Sequence, residues 1–236
     1  MARKKEMFLI LDTETTNTLE QPFVDDIGWA ICDRLGNIVE KKSFLVYEIF
    51  CECKDLMQSA YYSNKIPTYW EDVKQGNRVV KTFANIRKEF HNDIKKYNVK
   101  KVGAYNMGFD KKALNTTIRY ITKSAFRWFF PFKIQYFCIW TMACSVLLNR
   151  KTYIDFAEKN GFISEKNNIL TNAECCYKYI TKKLDFVEQH KSLEDVEIEI
   201  EILKHCFKQH KKINNQINSA CWQLVQKKRI ELRESV

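Results

Sequence analysis

Two carboxylates one residue apart follow the first apolar run of the chain, in the segment "LILDTETTN" at positions 9–17. Successive side chains of a strand point to opposite faces, so Asp12 and Glu14 are expected to point the same way from the end of a strand over 7–11. Two neighbouring anions raise each other's pKa. The pair therefore needs either a cation between its members or exposure to water.

Two more segments carry acids that can complete such a site. The segment "VGAYNMGFD" at positions 102–110 ends in Asp110, which follows an expected strand and begins a helix. In "HKSLED", His190 stands five residues before Asp195, and no other of the four histidines has an acid at that spacing. The simpler alternatives are a first-turn or N-cap acid for Asp110, a surface histidine for His190 and a capping-box acid for Asp195.

In this order, the three segments resemble the motifs of the DEDD superfamily of 3′→5′ exonucleases. The resemblance is to its histidine-containing subclass, which includes the proofreading epsilon-type subunits of DNA polymerase III and RNase T. The family motifs appear as "DTETTN", "YNMGFD" and "HKSLED", within about residues 7–205. Four positions depart from the usual pattern: Asn17 replaces glycine, Tyr105 histidine, Met107 alanine and Ser192 alanine. None is a catalytic position, so the departures bear on substrate preference.

The resemblance implies a catalytic role for each of five residues. Asp12 would bridge two Mg²⁺ or Mn²⁺ ions, Glu14 and Asp195 would complete the shell of the metal that holds the attacking water, and Asp110 would hold the second metal through water. His190 would take a proton from that water, which its ordinary pKa near 6.5 suits. It should precede the helix of Asp195, because five helical residues would turn it away.

The resemblance also implies substrate contacts near these acids. The backbone around Thr13 would contact the terminal nucleotide, and Asn106 and Phe109 would shape the site. Phe109 has the alternative of an ordinary core residue.

The implied activity is that of a metal-dependent 3′→5′ exonuclease, which releases nucleoside 5′-monophosphates from single-stranded ends, with DNA favoured over RNA. One alternative is a non-catalytic nucleic-acid-binding or polymerase-associated module that retains the fold. Another is an RNase H or polynucleotidyl transferase of the same broad fold, against which the His190–Asp195 spacing speaks.

The elements that must position these residues alternate between strands and helices, which indicates an α/β fold. The resemblance implies a ribonuclease H-like fold with a five-stranded mixed sheet flanked by helices. After the first strand, the pattern predicts a hairpin around "RLGN", helices over 81–97 and 109–121, and a strand in "IQYFCI". A further helix is expected after a Thr171 cap. The segment "VEIEIEIL" at 196–203 alternates like a strand but also forms helical stripes, and the helix is favoured. Residues 47–79 give no clear pattern.

Composition limits the class of protein. The net charge of +10 over 236 residues suits a polyanionic partner such as nucleic acid, or simply a basic surface. The nine cysteines lack zinc-site spacing and no signal peptide precedes them, which predicts reduced thiols in the cytoplasm. The uncharged stretch 136–148 is too short to span a membrane. A polymerase is a possible partner, and nothing in the sequence indicates an oligomeric state.

The chain is predicted to comprise an exonuclease domain, 1–207, and a basic helical extension, 208–236, packed on it. Apolar residues from Ile213 to Leu224 have helical spacing. The cations of the extension either guide the substrate or are simply solvated; they are Lys211, Lys212, Lys227, Lys228 and Arg229.

Overall fold

A computed structural model describes residues 5–60, 63–209 and 212–234. Within these residues the chain forms one six-stranded sheet with strand order β4-β3-β2-β1-β5-β6. The strands are β1 (Phe8–Asn17), β2 (Pro22–Cys32), β3 (Ile38–Val46), β4 (Val79–Lys81), β5 (Lys101–Ala104) and β6 (Gln135–Cys138). β2 runs antiparallel to β1 and β3, whereas the other neighbouring pairs are parallel, so the sheet is mixed.

Helices cover both faces of the sheet. In the described part of the chain they are α1 (Lys54–Ser59), α2 (Ile66–Lys74), α3 (Phe83–Lys96), α4 (Met107–Thr122), α5 (Ile139–Ala143), α6 (Lys151–Lys159), α7 (Ala173–Thr181), α8 (Ser192–Lys208) and α9 (Gln223–Glu234). A π-helical turn follows β3 at Tyr47–Cys51, a 3₁₀ turn precedes α2 at Ser63–Lys65, and a second π-helical turn extends α5 through Leu148.

The alternation of β1 divides the core into two layers. Leu9 and Leu11 pack in the layer that includes α3 and α4, whereas Phe8 and Ile10 pack in the layer that includes α5 to α8. Since side chains two residues apart share a face, the even-numbered Asp12 and Glu14 continue the second layer's side of the strand. β1 therefore directs both carboxylates toward α8, and they lie within this strand, which continues to Asn17, and not at the end of a strand over 7–11 as expected.

Most of the predicted elements are confirmed. The expected helices over 81–97, 109–121 and 196–203 are α3, α4 and α8. The sheet has one strand more than expected, because β4 adds to the edge beside β3 and begins at the last residue of the segment that gave no clear pattern. The cap of α7 is Asn172, whose side chain accepts a hydrogen bond from the Cys175 N–H, and not Thr171.

The C-terminal part differs from the prediction. Its helix begins at Gln223, so the apolar residues from Ile213 to Cys221 are not helical. Cys221 and Val225 are buried in the α5–α8 layer, and the boundary at 208 stays a prediction. No helix of the described residues is long and apolar enough to cross a membrane.

The cations of this extension do not form one exposed set. Arg229 is buried and its Nε donates to Glu158 at 2.7 Å, so it anchors α9 to α6 and does not face a substrate. Lys228 pairs with Glu231, whereas Lys211 lies outside the described residues.

Candidate active site

All eight residues predicted for the site line one pocket of about 270 Å³. The elements that carry them are far apart in the sequence: the middle of β1, the start of α4, and the loop before α8 together with the first turn of that helix. The predicted residues in the pocket are Asp12, Thr13, Glu14, Asn106, Phe109, Asp110, His190 and Asp195. Tyr105, Asn172, Ala173, Glu188 and Glu199 complete its lining.

β1 and β2 form the floor of the site. Asp12 lies opposite Gly28 across the antiparallel pair, and the register shifts just after Glu14. A Cβ on Gly28 would stand 2.5 Å from the backbone nitrogen of Leu193, in the first turn of α8. Only glycine permits this close approach. It brings the start of α8 directly over β2, beside Asp12 on β1.

Asp110 enters the pocket from the first turn of α4. It is buried, and its Oδ1 accepts a hydrogen bond of 2.9 Å from the Thr13 hydroxyl on β1. The N-cap of α4 is Asn106, which makes no side-chain capping bond. Asp110 is therefore a first-turn acid, as the simpler alternative has it, and its side chain also bonds to β1.

His190 and Asp195 lie on either side of the start of α8, as predicted. The helix begins at Ser192, and His190 precedes it with a φ of 50°. The Lys65 ammonium donates to the carbonyl oxygen of His190 at 3.1 Å and so holds this loop. One potential ligand atom from each of Glu14, His190 and Asp195 lies within 4.8 Å of the other two.

The pocket concentrates negative charge in a buried place. Burial, with repulsion from the neighbouring acids, raises the pKa of Asp12 well above its usual range and that of Glu14 to about 7. Burial likewise raises the pKa of Asp110 to about 7, and burial together with Glu188 raises that of Asp195 to about 9. Without a cation, these groups retain protons that they would lose in water.

The imidazole responds in the opposite direction. Burial lowers the pKa of His190, and the nearby Lys65 lowers it further. His190 is therefore neutral at pH 7, and one of its ring nitrogens can accept a proton.

Besides Glu188, which lines the pocket from the loop before α8, a further acid that was not predicted is Glu199. It lies one helical turn after Asp195 on α8, lines the same pocket and is 2% exposed. Within the described residues, its Oε2 and the Oδ1 of Asp195 have no hydrogen-bond partner. The i, i+4 spacing from Asp195 was the available signal, since such residues share one helix face.

A buried ion-pair network supports the α8 side of the pocket. Arg78, just before β4, donates from Nε and Nη2 to the two carboxylate oxygens of Asp26, each at 3.0 Å. Asp26 lies opposite Glu14 on β2, and its Oδ2 also accepts the Ser192 N–H at 3.1 Å. Arg78 pairs further with Asp72 on α2. Thus one guanidinium connects β2, α2 and the start of α8.

The Asn17 departure from the motif has a structural explanation. Asn17 ends β1 with a φ of 71°, in the left-handed region that glycine adopts most easily. Asparagine tolerates this conformation better than most residues, as expected. Its side chain also donates to the carbonyl oxygen of Gln21 at 2.7 Å, which stabilises the turn into β2.

No family model matches the sequence, and no curated protein sequence matches it. Solved structures do resemble the fold. E. coli Exonuclease I in complex with a 5cy-dT13 oligonucleotide is 13% identical over 84% of this chain and 39% of its own, with a TM-score of 0.51. The zinc-bound form of the E. coli Exonuclease I–single-stranded DNA complex is 13% identical over 85% of this chain and 40% of its own, with a TM-score of 0.50.

Exonuclease X in complex with 5′ overhanging duplex DNA is 15% identical over 85% of this chain and 91% of its own, with a TM-score of 0.45. The present chain spans about 40% of the length of the Exonuclease I structures. At such low identity the similarity concerns the fold: this chain has the α/β fold of a mixed sheet flanked by helices that occurs in Exonuclease I.

Proposed function

We propose that this protein is a metal-dependent 3′→5′ exonuclease that releases nucleoside 5′-monophosphates from single-stranded ends, with DNA favoured over RNA. The observation that carries the proposal is the meeting of four carboxylates and an imidazole, from three distant segments, in one pocket. These are the five residues that the motif resemblance identifies, in its order. The DNA bound to Exonuclease I in structures of the same fold supports the choice of DNA.

The donors in the pocket fit divalent cations. Carboxylate oxygens suit Mg²⁺ or Mn²⁺, and Asp195 Oδ1 is buried without a hydrogen-bond partner among the described residues. We propose that Asp12, Glu14, Asp110 and Asp195 hold two such ions. When bound, the ions would supply Lewis-acid stabilisation of the attacking and leaving oxygens.

The chain's own groups have separate tasks in this proposal. A neutral ring nitrogen of His190 takes the proton from the attacking water. Asp110 stays oriented through its bond from the Thr13 hydroxyl. Phe109 forms an apolar wall of the pocket beside Asn106, where the terminal nucleotide would lie.

The proposal is tested with single strands labelled at either end, in Mg²⁺ and then in EDTA. We expect the 5′-labelled strand to shorten stepwise, the 3′ label to leave as a mononucleotide, and both reactions to stop on chelation. Internal cuts, or cleavage that EDTA does not affect, would contradict it. Matched DNA and RNA strands in the same assay test the preference for DNA, and cleavage within an RNA–DNA hybrid would instead favour an RNase H activity.

His190→Ala is expected to lower the rate by about 10²-fold or more, since a positioned base contributes about 10²–10⁴-fold. Binding of Mn²⁺, measured by calorimetry, should be largely kept, because four carboxylates remain. With Mg²⁺ at saturation, so that the carboxylates are held ionised, the rate of the unmodified protein should fall only below a pH of about 6.5, the ordinary imidazole pKa, since burial lowers the pKa of His190. His205→Ala, outside the pocket at the end of α8, is the control. A near-normal rate for His190→Ala would rule out its role as the base.

We further propose a reducing, cytoplasmic location, which is supported by the nine free cysteines. Association with a polymerase stays a prediction.

A further inference from the structure

The loop between α4 and β6 presents large aromatic side chains to water. Phe126 and Phe132 are 90% and 91% exposed, more than any other large hydrophobic side chain in the described part of the chain, and Trp128 is 56% exposed. Burial of such rings is normally favourable, in proportion to the apolar area removed from water. Phe126, Trp128 and Phe132, three positions within seven residues, therefore do not contribute this burial to the stability of the fold.

The outward position of these rings is fixed by their neighbours. Phe129 and Phe130 are buried in the core. The Phe129 N–H donates to Asn115 Oδ1 at 2.9 Å, and its carbonyl oxygen accepts from Arg87 Nε at 2.8 Å. These core contacts fix the backbone of the loop, and the side chains of Phe126, Trp128 and Phe132 therefore point into the solvent.

The charge around these rings is entirely positive in the sequence. No aspartate or glutamate occurs from Lys111 to Ile154. The Arg119 guanidinium lies 4.5 Å from the centre of the Trp128 ring, and the Lys133 ammonium lies 5.9 Å from that of Phe132. Within residues 5–60, 63–209 and 212–234, no ion pair is formed by Arg119, Arg127 or Lys133.

We call Arg119, Phe126, Arg127, Trp128, Phe132 and Lys133 the aromatic patch. α4 connects it to the proposed active site: Asp110 lies in the first turn of the helix, and the patch begins in its last turn. A helix of 16 residues at 1.5 Å per residue is about 24 Å long. The patch is thus a separate surface, one helix length from the pocket.

We infer that the aromatic patch is a second contact site for single-stranded nucleic acid, where bases stack on the exposed rings and phosphates pair with the cations. Every base has a face that stacks on an aromatic ring, and the backbone requires cations, so rings interleaved with unpaired cations fit a single strand of any sequence. This inference rests on the proposed function and extends it. The patch would hold the strand away from its cleaved end and so strengthen the binding of long substrates.

The test uses the double variant F126A/F132A, whose two changes lie in almost fully exposed side chains. Affinity for a fluorescent strand of about 16 nucleotides, within the usual range of site sizes, is measured by anisotropy in EDTA. Without turnover, the result is independent of nuclease activity, so failure of the proposed function and failure of the patch are distinguishable. Stacking loss corresponds to about tenfold per base, so we expect affinity to fall about 100-fold.

Two variants serve as controls for this measurement. Leu35→Ala removes a 68% exposed apolar side chain outside the patch and should bind like the unmodified protein. F126W/F132W keeps two stacking rings and should restore most of the affinity. Arg127→Gln should lower the slope of log affinity against log salt by about 0.7, the value for one phosphate contact on a single strand.

Several results would overturn the inference. They are affinity within about twofold of the unmodified protein for F126A/F132A, a comparable loss for Leu35→Ala, or no recovery for F126W/F132W. Binding to vesicles of anionic lipid is measured in parallel. If F126A/F132A lost vesicle binding but kept strand binding, the patch would be assigned to a membrane surface instead.

Discussion

Asp12→Asn is expected to lower the rate of strand degradation on the order of 10³-fold and, at the same time, to raise the thermal stability of the metal-free protein. Asp12 experiences repulsion from Asp110, Glu199, Glu14 and Asp195, so it is the carboxylate at the centre of the cluster. The substitution takes away one of the four carboxylates that are proposed to hold the metal ions. Without metal, Asp12 folds into the pocket only by keeping a proton that it would lose in the unfolded chain, which costs stability above a pH of about 4, and the asparagine removes this cost.

The pH dependence of this stability follows from the direction of the pKa shifts. The acids of the pocket have raised pKa values in the folded protein, so above their unfolded value of about 4 the folded state binds more protons than the unfolded state. The metal-free protein should therefore lose stability as pH rises above about 4. The contribution of Glu14 and Asp110 to this loss continues up to a pH of about 7, and that of Asp195 up to about 9. This fall should be smaller in Asp12→Asn.

Thermal melts with and without Mg²⁺ test whether the pocket binds the metal. A ligand at 100 times its Kd stabilises the folded state by about 2.7 kcal/mol, which corresponds to several degrees in a chain of this size. Mg²⁺ should produce this shift in the unmodified protein and little in Asp12→Asn. Asp155→Asn, an exposed acid on α6 outside the pocket, is the control. Equal stabilisation of all three proteins by Mg²⁺ would contradict the site.

The core of the site was predictable because its signals are local. A strand period of two places Asp12 and Glu14 on one face whatever the rest of the chain does. Likewise, the helix that begins at Ser192 carries Asp195 in its first turn and leaves His190 before it, which follows from helix geometry alone. These relations hold within a few residues, whereas the meeting of the three segments in one site was implied by the motif resemblance and not by local spacing.

Glu199 illustrates what the pattern could not provide. Glu197, Glu199 and Glu201 repeat at equal spacing in the sequence, yet only Glu199 lines the pocket. Glu197 pairs with Lys41 on β3, and Glu201 pairs with Lys204. A strand would place all three on the face of Asp195, whereas a helix places only Glu199 there, so the choice depends on the helical state of 196–203, and the contact of α8 with Gly28 holds that helix against the sheet. That contact joins residues far apart in the chain.

The secondary structure of the segment between β3 and β4 could not be predicted, because it also depends on tertiary contacts. Its helices are short, six residues in α1 and nine in α2, and isolated helices of this length are marginal. Tertiary packing stabilises them, as in the contact of the Thr16 hydroxyl with the Leu56 carbonyl oxygen. The role of Arg78 could not be predicted either, since one of its partners, Glu194 in the first turn of α8, lies 116 positions away.

Arg78→Met should destabilise the protein by about 3–5 kcal/mol, the usual result of removing one partner of a buried ion pair. Arg78 and Asp26 are 2% and 0% exposed, so the variant leaves a carboxylate in the interior without its cation. Arg233→Met is the matched control: its pair with Glu158 is exposed, and such pairs contribute about 0–1 kcal/mol. Chemical denaturation of the two variants gives the comparison, and equal stabilities would contradict the assignment.

A double variant separates the charge of this network from its shape. Asp26→Asn combined with Arg78→Met removes the uncompensated charge but keeps an oxygen that can accept the Ser192 N–H, which now bonds to Asp26 Oδ2. Stability should therefore recover in part relative to Arg78→Met alone, as a coupling of about 0.5–3 kcal/mol between neighbouring sites. If Arg78 positions the start of α8, the single variant should also bind Mn²⁺ more weakly at a temperature where it remains folded, and the double variant should regain that affinity. Recovery of stability without recovery of metal binding would mean that Arg78 supports the fold and not the pocket.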